Sequence, residues 1–333
     1  MATRIVETHV ENWPLAKPFI IARGSKTHAQ VVTVTLRQAG NTGRGECVPY
    51  GRYGESTESV LAQIAAARAD IEGGLDREAL QQAMPAGAAR NALDCALWDL
   101  EAKHTGQSVY QMQGLEMPAS VPSVQTVCIA TPDEMHDEAA TLQSFPVIKI
   151  KLDAENVLER MKAVHLGVPN AKLIIDANES WSMGLLNDVA PALAALGVVM
   201  IEQPIKAGDD DTLAAYRGPV QLGADESCHT SGDLMRLKGL YSYVNIKLDK
   251  TGGLTEALQM QAKARDMGFG VMIGSMVATS LALAPAVILA LDADYVDLDS
   301  PSLLAEDRRH AMTLRDGRLL AIDGRLWGGC EHE

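Results

Sequence analysis

From about Val121 the sequence becomes a series of short aliphatic runs separated by helical segments. The runs cover residues 123–129, 147–152, 173–177, 198–202, 221–225, 243–249, 270–274 and 295–299. Strands alternating with helices build a parallel sheet, and eight such units are the number that closes a (β/α)-type barrel. No Gly-x-Gly-x-x-Gly follows a strand and no phosphate-loop motif is present, which weakens a nucleotide-binding alternative. The expected class is α/β: a (β/α)7β TIM-like barrel with an N-terminal α+β capping domain. The expected division is 1–115 for the cap, 116–307 for the barrel, and a tail from about 308 to 333 that returns to the cap.

The run Pro146-Val-Ile-Lys149-Ile-Lys151-Leu-Asp153 shows why a barrel suits this chain. On a strand, Lys149 and Lys151 share one face while Ile148, Ile150 and Leu152 share the other. Helices can cover the aliphatic face of a barrel strand while the opposite face lines the mouth. Exposed lysines on an edge strand are the plain alternative.

A chain of 333 residues can bury a large core. Its net charge of −14 argues against a nucleic-acid or anionic-membrane surface. No apolar leader is visible after Met1, which points to a cytoplasmic protein. The most apolar run, about 276–291, is interrupted by Thr279, Ser280 and Pro285 and reads as a buried barrel helix. Five scattered cysteines (Cys47, Cys95, Cys128, Cys228, Cys330) lack Cys-x-x-Cys spacing, so neither a disulfide framework nor a zinc site is expected.

In the first unit, residues 5–10 and 31–36 alternate as strands, and Gly40-Asn-Thr-Gly43 supplies a turn before a third strand at 45–48. Residues 17–26 read as a loop ending in basic and flexible positions. A second irregular stretch, 49–54, precedes a helix capped near Ser56 or Thr57. Another helix spans 86–103 and stops near Gly106. Two Gly-, Arg- and Tyr-rich loops ahead of a barrel suit a lid, although such loops are more often only turns.

Barrel chemistry sits at the C-terminal ends of the strands. Those ends carry Lys151, Asp176, Glu202, Asp225, Lys247, and Asp297 with Asp299, all with inward parity, and Asp249 is read as inward too. A single acid there is commonly a helix N-cap. Acids on three consecutive strands are harder to explain that way, because crowded carboxylates repel unless a cation joins them. Mg²⁺ fits an all-carboxylate site, with Asn178 orienting a ligand from behind.

Strands two and six of an eight-strand barrel face each other, so Lys151 and Lys247 should approach a substrate from opposite sides. That suits taking a proton from one face of a carbon and returning one to the other. A free lysine, with a pKa of about 10.4, is a poor base at neutral pH. Lys149, the metal and partial burial are expected to lower Lys151.

Taken together, these motifs resemble the enolase superfamily along the whole chain, in the branch of muconate cycloisomerases, o-succinylbenzoate synthases and dipeptide epimerases. The resemblance rests on Lys149-Ile-Lys151, Asp176-Ala-Asn178, Glu202-Gln-Pro204, Asp225-Glu-Ser227 and Asn245-Ile-Lys247-Leu-Asp-Lys-Thr-Gly252-Gly253. It implies one Mg²⁺ on Asp176, Glu202 and Asp225, and Lys151 and Lys247 as an acid/base pair. It also implies two-base 1,1-proton transfer through a metal-stabilised enediolate.

Within the branch, Asp297-Leu-Asp299-Ser-Pro301 is most similar to dipeptide epimerases, where this pair holds the substrate ammonium; two desolvated carboxylates need such a cation. Ile21-Ala-Arg23-Gly24-Ser25 is similar to members preferring an acidic second residue, with Arg23 meeting the Glu side chain. Ser275 and Met276 belong to the strand-seven motif and would line the substrate wall. The implied activity is epimerisation of L-Ala-D/L-Glu from murein peptides. A cycloisomerase, an o-succinylbenzoate synthase and a non-catalytic ligand-binding barrel are the alternatives. The sequence leaves the breadth of dipeptide use and homo-oligomer formation open.

Overall fold

The computed structural model describes residues 3–329. Met1, Ala2 and the last four residues of the tail, Cys330 among them, lie outside that range.

The chain starts with an antiparallel sheet of β1 (Ile5–Ile21), β2 (Gly24–Gln38) and β3 (Asn41–Cys47), paired in that order. Ala39 and Gly40 connect β2 to β3 with φ of 51° and 87°, the left-handed pair that a two-residue hairpin needs. Helices α1 (Thr57–Glu72), α2 (Arg77–Ala83) and α3 (Ala88–Thr105) cover one face of this sheet. Val32, Val34 and Leu36 pack there against Ile64, Leu93 and Ala96. The approach of α3 is close: a Cβ on Gly45 would lie 2.1 Å from the Ala92 carbonyl oxygen, so only glycine fits.

The first two strands run further than the sequence suggests. Residues 17–26 are not a loop but the tip of a two-stranded ribbon, where Phe19 pairs with Lys26 and Ile21 with Gly24 after a register shift. The Phe19-Ile-Ile run has strand propensity that the basic residues and Gly24 obscure. Ile129 N–H donates to Ile20 O at 3.3 Å and ties this tip to the barrel mouth.

A short strand β4 (Ser120–Pro122) leads into eight parallel strands in sequence order. These are β5 (Gln125–Val127), β6 (Val147–Lys151), β7 (Lys172–Asp176), β8 (Val198–Glu202), β9 (Gln221–Ala224), β10 (Tyr243–Ile246), β11 (Gly270–Gly274) and β12 (Tyr295–Asp297). Val124 N–H donates to Val296 O at 2.8 Å across the remaining gap, closing the ring. Val124, Ile174, Met200 and Met272 fill the lower interior. Two residues beyond Ile174 and Met200, the same parity brings Asp176 and Glu202 to the upper rim. After β12, strands β13 (Leu314–Arg315) and β14 (Arg318–Leu320) pair back onto β4.

Two of the expected strands are shorter, with consequences for the site. The sixth ends at Ile246, because Leu248–Thr251 forms a helical turn stopped by left-handed Gly252. Asp249 therefore turns away from the barrel interior, correcting its expected inward placement. Its carboxylate accepts from Val48 N–H at 3.0 Å and Asn91 Nδ2 at 2.8 Å. The eighth ends at Asp297, and Asp299 lies in the N-cap position of Ser300–Leu303. The apolar run at 276–291 is two short helices, Ser280–Leu283 and Ala286–Ala290, separated around Pro285. Among the described residues no helix is long and apolar enough to cross a membrane.

Tail residues contact the first unit. Arg308 Nη2 lies 2.6 Å from both Glu46 and Glu11, and Trp327 Nε1 donates to Cys95 O at 2.9 Å.

The buried Asp249 gives a stability prediction. Burial pushes its carboxyl up to about 7 against two N–H donors, with Glu55 and Glu46 adding to the rise. The folded value lies above the ordinary carboxylate value, so the group's contribution is full at low pH and is lost as pH rises through about 7. Asp249→Asn keeps an acceptor for Val48 and removes the charge. It should stabilise the protein by on the order of 2 kcal/mol at pH 8 and little at pH 4. Urea melts at the two pH values check this; an equal change at both would contradict it.

Candidate metal centre and active-site cleft

The upper ends of β6 to β10 present Lys151, Asp176, Glu202, Asp225 and Lys247 in turn, the last two one residue beyond their strands. Strands β6 and β10 are four apart in a ring of eight, so the two lysines stand on opposite walls. The three acids occupy the arc between them. Their carboxylate oxygens lie within 4.8 Å of one another, and all three side chains are buried.

Desolvating three like charges so close together is unfavourable without nearby cations. Lys151 Nζ lies 2.5 Å from Asp176 Oδ2, and Lys247 Nζ lies 2.6 Å from Asp225 Oδ2. Burial works against the charge on Asp176, yet Lys151 and Lys149 outweigh it and hold the carboxyl well below its usual range. Asp225 is pulled down in the same way, by Lys247 and Lys250 against burial. Glu202 goes the other way: burial and the charge of Asp176 raise it. Its Oε2 is buried without a hydrogen bond, although Lys149 Nζ is 2.7 Å away. Three hard oxygen donors within 4.8 Å of one another fit a divalent cation.

Burial opposes the charge on Lys247, but Asp225 and Glu202 overcome it and raise the ammonium above its ordinary value. The Lys149 ammonium is held by Asp297 at 2.7 Å, Glu202 at 2.7 Å and Asp176 at 3.2 Å. Burial is outweighed by these three carboxylates, which raise it well above the usual lysine value. It is an internal counter-ion shared by three buried carboxylates.

A cleft of about 200 Å³ opens at the barrel mouth beside Asp225. Lys149, Lys151, Asp225, Lys247, Asp297 and Asp299 line it, with Asn178, Ser275, Met276 and Arg23. The two aspartates each use one oxygen inside the protein: Asp297 Oδ2 on Lys149, and Asp299 Oδ2 on Thr126 N–H at 2.7 Å. Burial and the charge of Asp297 push Asp299 up to about 6. Asn178 N–H donates to Asp176 Oδ1 at 2.9 Å, buttressing that acid. Arg23, on the ribbon tip, reaches across the mouth to Glu226 at 2.5 Å and Glu179 at 3.2 Å, while its Nη2 donates to Tyr50 Oη at 3.1 Å.

Several contributors were not singled out from the sequence. Lys250, fully buried, donates to Asp225 Oδ1 at 2.6 Å and to Asn245 O at 2.8 Å. Asn245 Nδ2 donates to Glu202 Oε1 at 2.6 Å. Gln203 accepts from Asp225 N–H at 2.9 Å, and Glu226 pairs with Arg23. A signal for Lys250 was present: Thr-Gly252-Gly253 is a helix stop, and a helical turn before it brings Lys250 back beside the barrel rim.

Residues 3–114 match the family model "Mandelate racemase / muconate lactonizing enzyme, N-terminal domain", and residues 134–325 match "Enolase C-terminal domain-like". The chain is 50% identical over 318 residues to the L-Ala-D/L-Glu epimerase of Escherichia coli (strain K12), covering 95% of this chain and 99% of that protein. It is 43% identical over 304 residues to an N-acetyl-D-glutamate racemase of a Pseudoalteromonas species, covering 91% and 96%. A solved enolase family member from Agrobacterium tumefaciens, with homology to dipeptide epimerases and bound to sodium and L-Ala-L-Glu, superposes with a TM-score of 0.95. That pair is 45% identical, over 98% of this chain and all of the other. With both halves matched and the acid arc in place, the chain belongs to the enolase superfamily, in its mandelate racemase/muconate lactonizing enzyme group.

Proposed function

We propose that this protein is a Mg²⁺-dependent isomerase that epimerises L-Ala-D/L-Glu at the α-carbon of the glutamate. The observation that carries this reading is the pair of amines on opposite barrel walls with the acid triad between them. The epimerase relative and the dipeptide-bound neighbour support the substrate class. Asp176, Glu202 and Asp225 would hold Mg²⁺. When bound, the ion supplies fixed positive charge against the negative charge that gathers on the substrate carboxylate, as in enolase-superfamily sites generally.

Lys151 and Lys247 divide the proton transfer. One takes the α-proton from its face, and the other delivers a proton to the opposite face; the reverse reaction exchanges their roles. Asp297 and Asp299 receive the ammonium of the N-terminal alanine through the oxygens they do not use internally. Ser275 and Met276 form the facing wall. Arg23 and the ribbon tip close the mouth and exclude water, with residues 1–115 and the tail acting as the cap.

The N-acetylglutamate racemase relative defines the competing reading, since an N-acyl substrate carries no ammonium. The aspartates favour the dipeptide: Asp297 already meets Lys149 at 2.7 Å, but with no substrate cation Asp299 would sit desolvated against an amide. Parallel assays of L-Ala-L-Glu, N-acetyl-L-glutamate and cycloisomerase substrates test this. A kcat/KM highest for L-Ala-L-Glu is expected, and a preference for either other class would overturn the assignment.

Metal removal gives a second check. Dialysis against EDTA should abolish turnover and lower Tm, and Mg²⁺ should restore both, because the triad loses the cation that offsets its repulsion. Full activity after verified metal stripping would contradict the metal reading.

A further inference from the structure

Behind the three acids the backbone adopts left-handed φ at three non-glycine residues, Asn178 (43°), Glu179 (69°) and Gln203 (37°). Such conformations persist only where the surroundings hold them, and they cluster at functional sites. Here they follow β7 and β8 by one to three residues, immediately beyond Asp176 and Glu202.

Gln203 links the three loops. Its backbone carbonyl accepts from Glu179 N–H at 2.8 Å, and its own N–H donates to Gly223 O at 2.8 Å. Its side-chain Oε1 accepts from Asp225 N–H at 2.9 Å and Ser227 N–H at 3.1 Å. Nε2 donates to Ile205 O at 2.8 Å and lies 2.8 Å from Ser227 Oγ and 3.0 Å from Tyr241 Oη. The amide is oriented from behind: Ser227 Oγ and Tyr241 Oη both donate to Asp210 Oδ1, at 2.5 and 2.7 Å, and Arg236 binds Asp210 Oδ2 at 3.0 Å. Gln203 is fully buried and lies on no wall of the cleft.

Gln203 is thus one peptide bond from Glu202 and one hydrogen bond from the backbone of Asp225. A side chain that only ended a strand would need neither the satisfied amide nor the oriented network behind it. We propose that Gln203 is a positioning residue for the metal centre: it sets the spacing between Glu202 and Asp225, and through its carbonyl the loop after Asp176, and so fixes the affinity for Mg²⁺. This inference rests on the triad being the Mg²⁺ site. Groups that orient metal ligands without touching the metal typically account for about 10- to 100-fold in affinity.

The test is Mg²⁺ titration calorimetry on EDTA-stripped wild type, Gln203→Met and Tyr241→Phe, with kcat measured across a range of Mg²⁺ concentrations. Gln203→Met keeps the length and the backbone contacts to Glu179 and Gly223 and removes every side-chain hydrogen bond. It should weaken Mg²⁺ binding by about 10- to 100-fold, with kcat recovering as Mg²⁺ approaches saturation. Tyr241→Phe leaves Gln203 in place and removes one group orienting its amide. It should weaken binding by a smaller factor, about 3-fold. A Kd within twofold of wild type in both variants, or a kcat loss that saturating Mg²⁺ does not restore, overturns the proposal. Should Gln203→Met not fold, the Tyr241→Phe Kd decides alone, unchanged affinity overturning it. Absence of Mg²⁺ binding by wild type would overturn the metal-site reading and this inference with it. Normal wild-type binding with unaffected variants would overturn this inference only.

Discussion

Lys151→Ala and Lys247→Ala should each stop conversion of L-Ala-L-Glu to L-Ala-D-Glu, lowering kcat by at least about 10²–10⁴-fold, the range for removal of a general acid or base. The two amines reach the site from β6 and from just beyond β10, on opposite walls, with the acid triad between them. A proton lost to one wall must be replaced from the other for the configuration to invert, so removing either amine stops both directions. The remaining amine still faces one diastereomer's α-hydrogen and can return a proton to the same face. Each variant should therefore exchange the α-proton of one diastereomer with solvent deuterium, and the two variants should choose opposite diastereomers. Circular dichroism and Mg²⁺ binding would show that the fold and triad survive. Near-normal turnover in either variant, or exchange of the same diastereomer by both, would contradict the opposed-amine arrangement.

Asp299→Asn should lower kcat/KM for L-Ala-L-Glu by about 30-fold or more, since removing one partner of a desolvated charge pair costs about 2–5 kcal/mol. Asp299 is the cleaner site of the two. Asp297 also balances Lys149 at 2.7 Å, so its substitution would disturb the counter-ion network. Asp299 instead accepts from Thr126 N–H at 2.7 Å, a contact that asparagine retains. Its carboxyl is pushed up to about 6 by burial and by Asp297. A cationic substrate group favours its deprotonated form, so wild-type kcat/KM should fall as pH drops through about 6, and this acid limb should vanish in the variant. An N-acylated glutamate, which has no ammonium, should lose no more than about twofold. Unchanged dipeptide kcat/KM would remove Asp299 from ammonium recognition.

The barrel and its acid arc were legible because both obey simple periodicities. A strand alternates faces every residue, and function gathers at the strands' C-terminal ends. Asp176 could therefore be placed inward, opposite in parity to the outward-facing Leu173 and Ile175. That rule fails where a strand stops early: read as strand to 249, the sequence turns Asp249 inward, whereas the helical turn at Leu248–Thr251 sends it to Val48 and Asn91 and brings Lys250 to Asp225 instead. The ribbon tip was obscured because its pairing depends on a register shift between Pro14 and Phe19, which local composition does not encode.

Long-range ion pairing was the least legible part. Nothing near Lys149 in the chain announces that Asp297, 148 residues away, will neutralise it. Arg23 likewise reads as a free cation until the fold brings Glu226 and Glu179 beneath it.

The central claim is inversion of one carbon by two amines across a metal-loaded pocket, and its most direct test is isotopic. Metal-loaded wild-type protein is incubated with L-Ala-L-Glu in heavy water, and the dipeptide is followed by proton NMR and mass spectrometry. A gain of one mass unit is expected, from deuterium replacing hydrogen at the glutamate α-carbon, as L-Ala-D-Glu accumulates. An unlabelled α-carbon with no second diastereomer, from protein shown to have bound Mg²⁺, would contradict it.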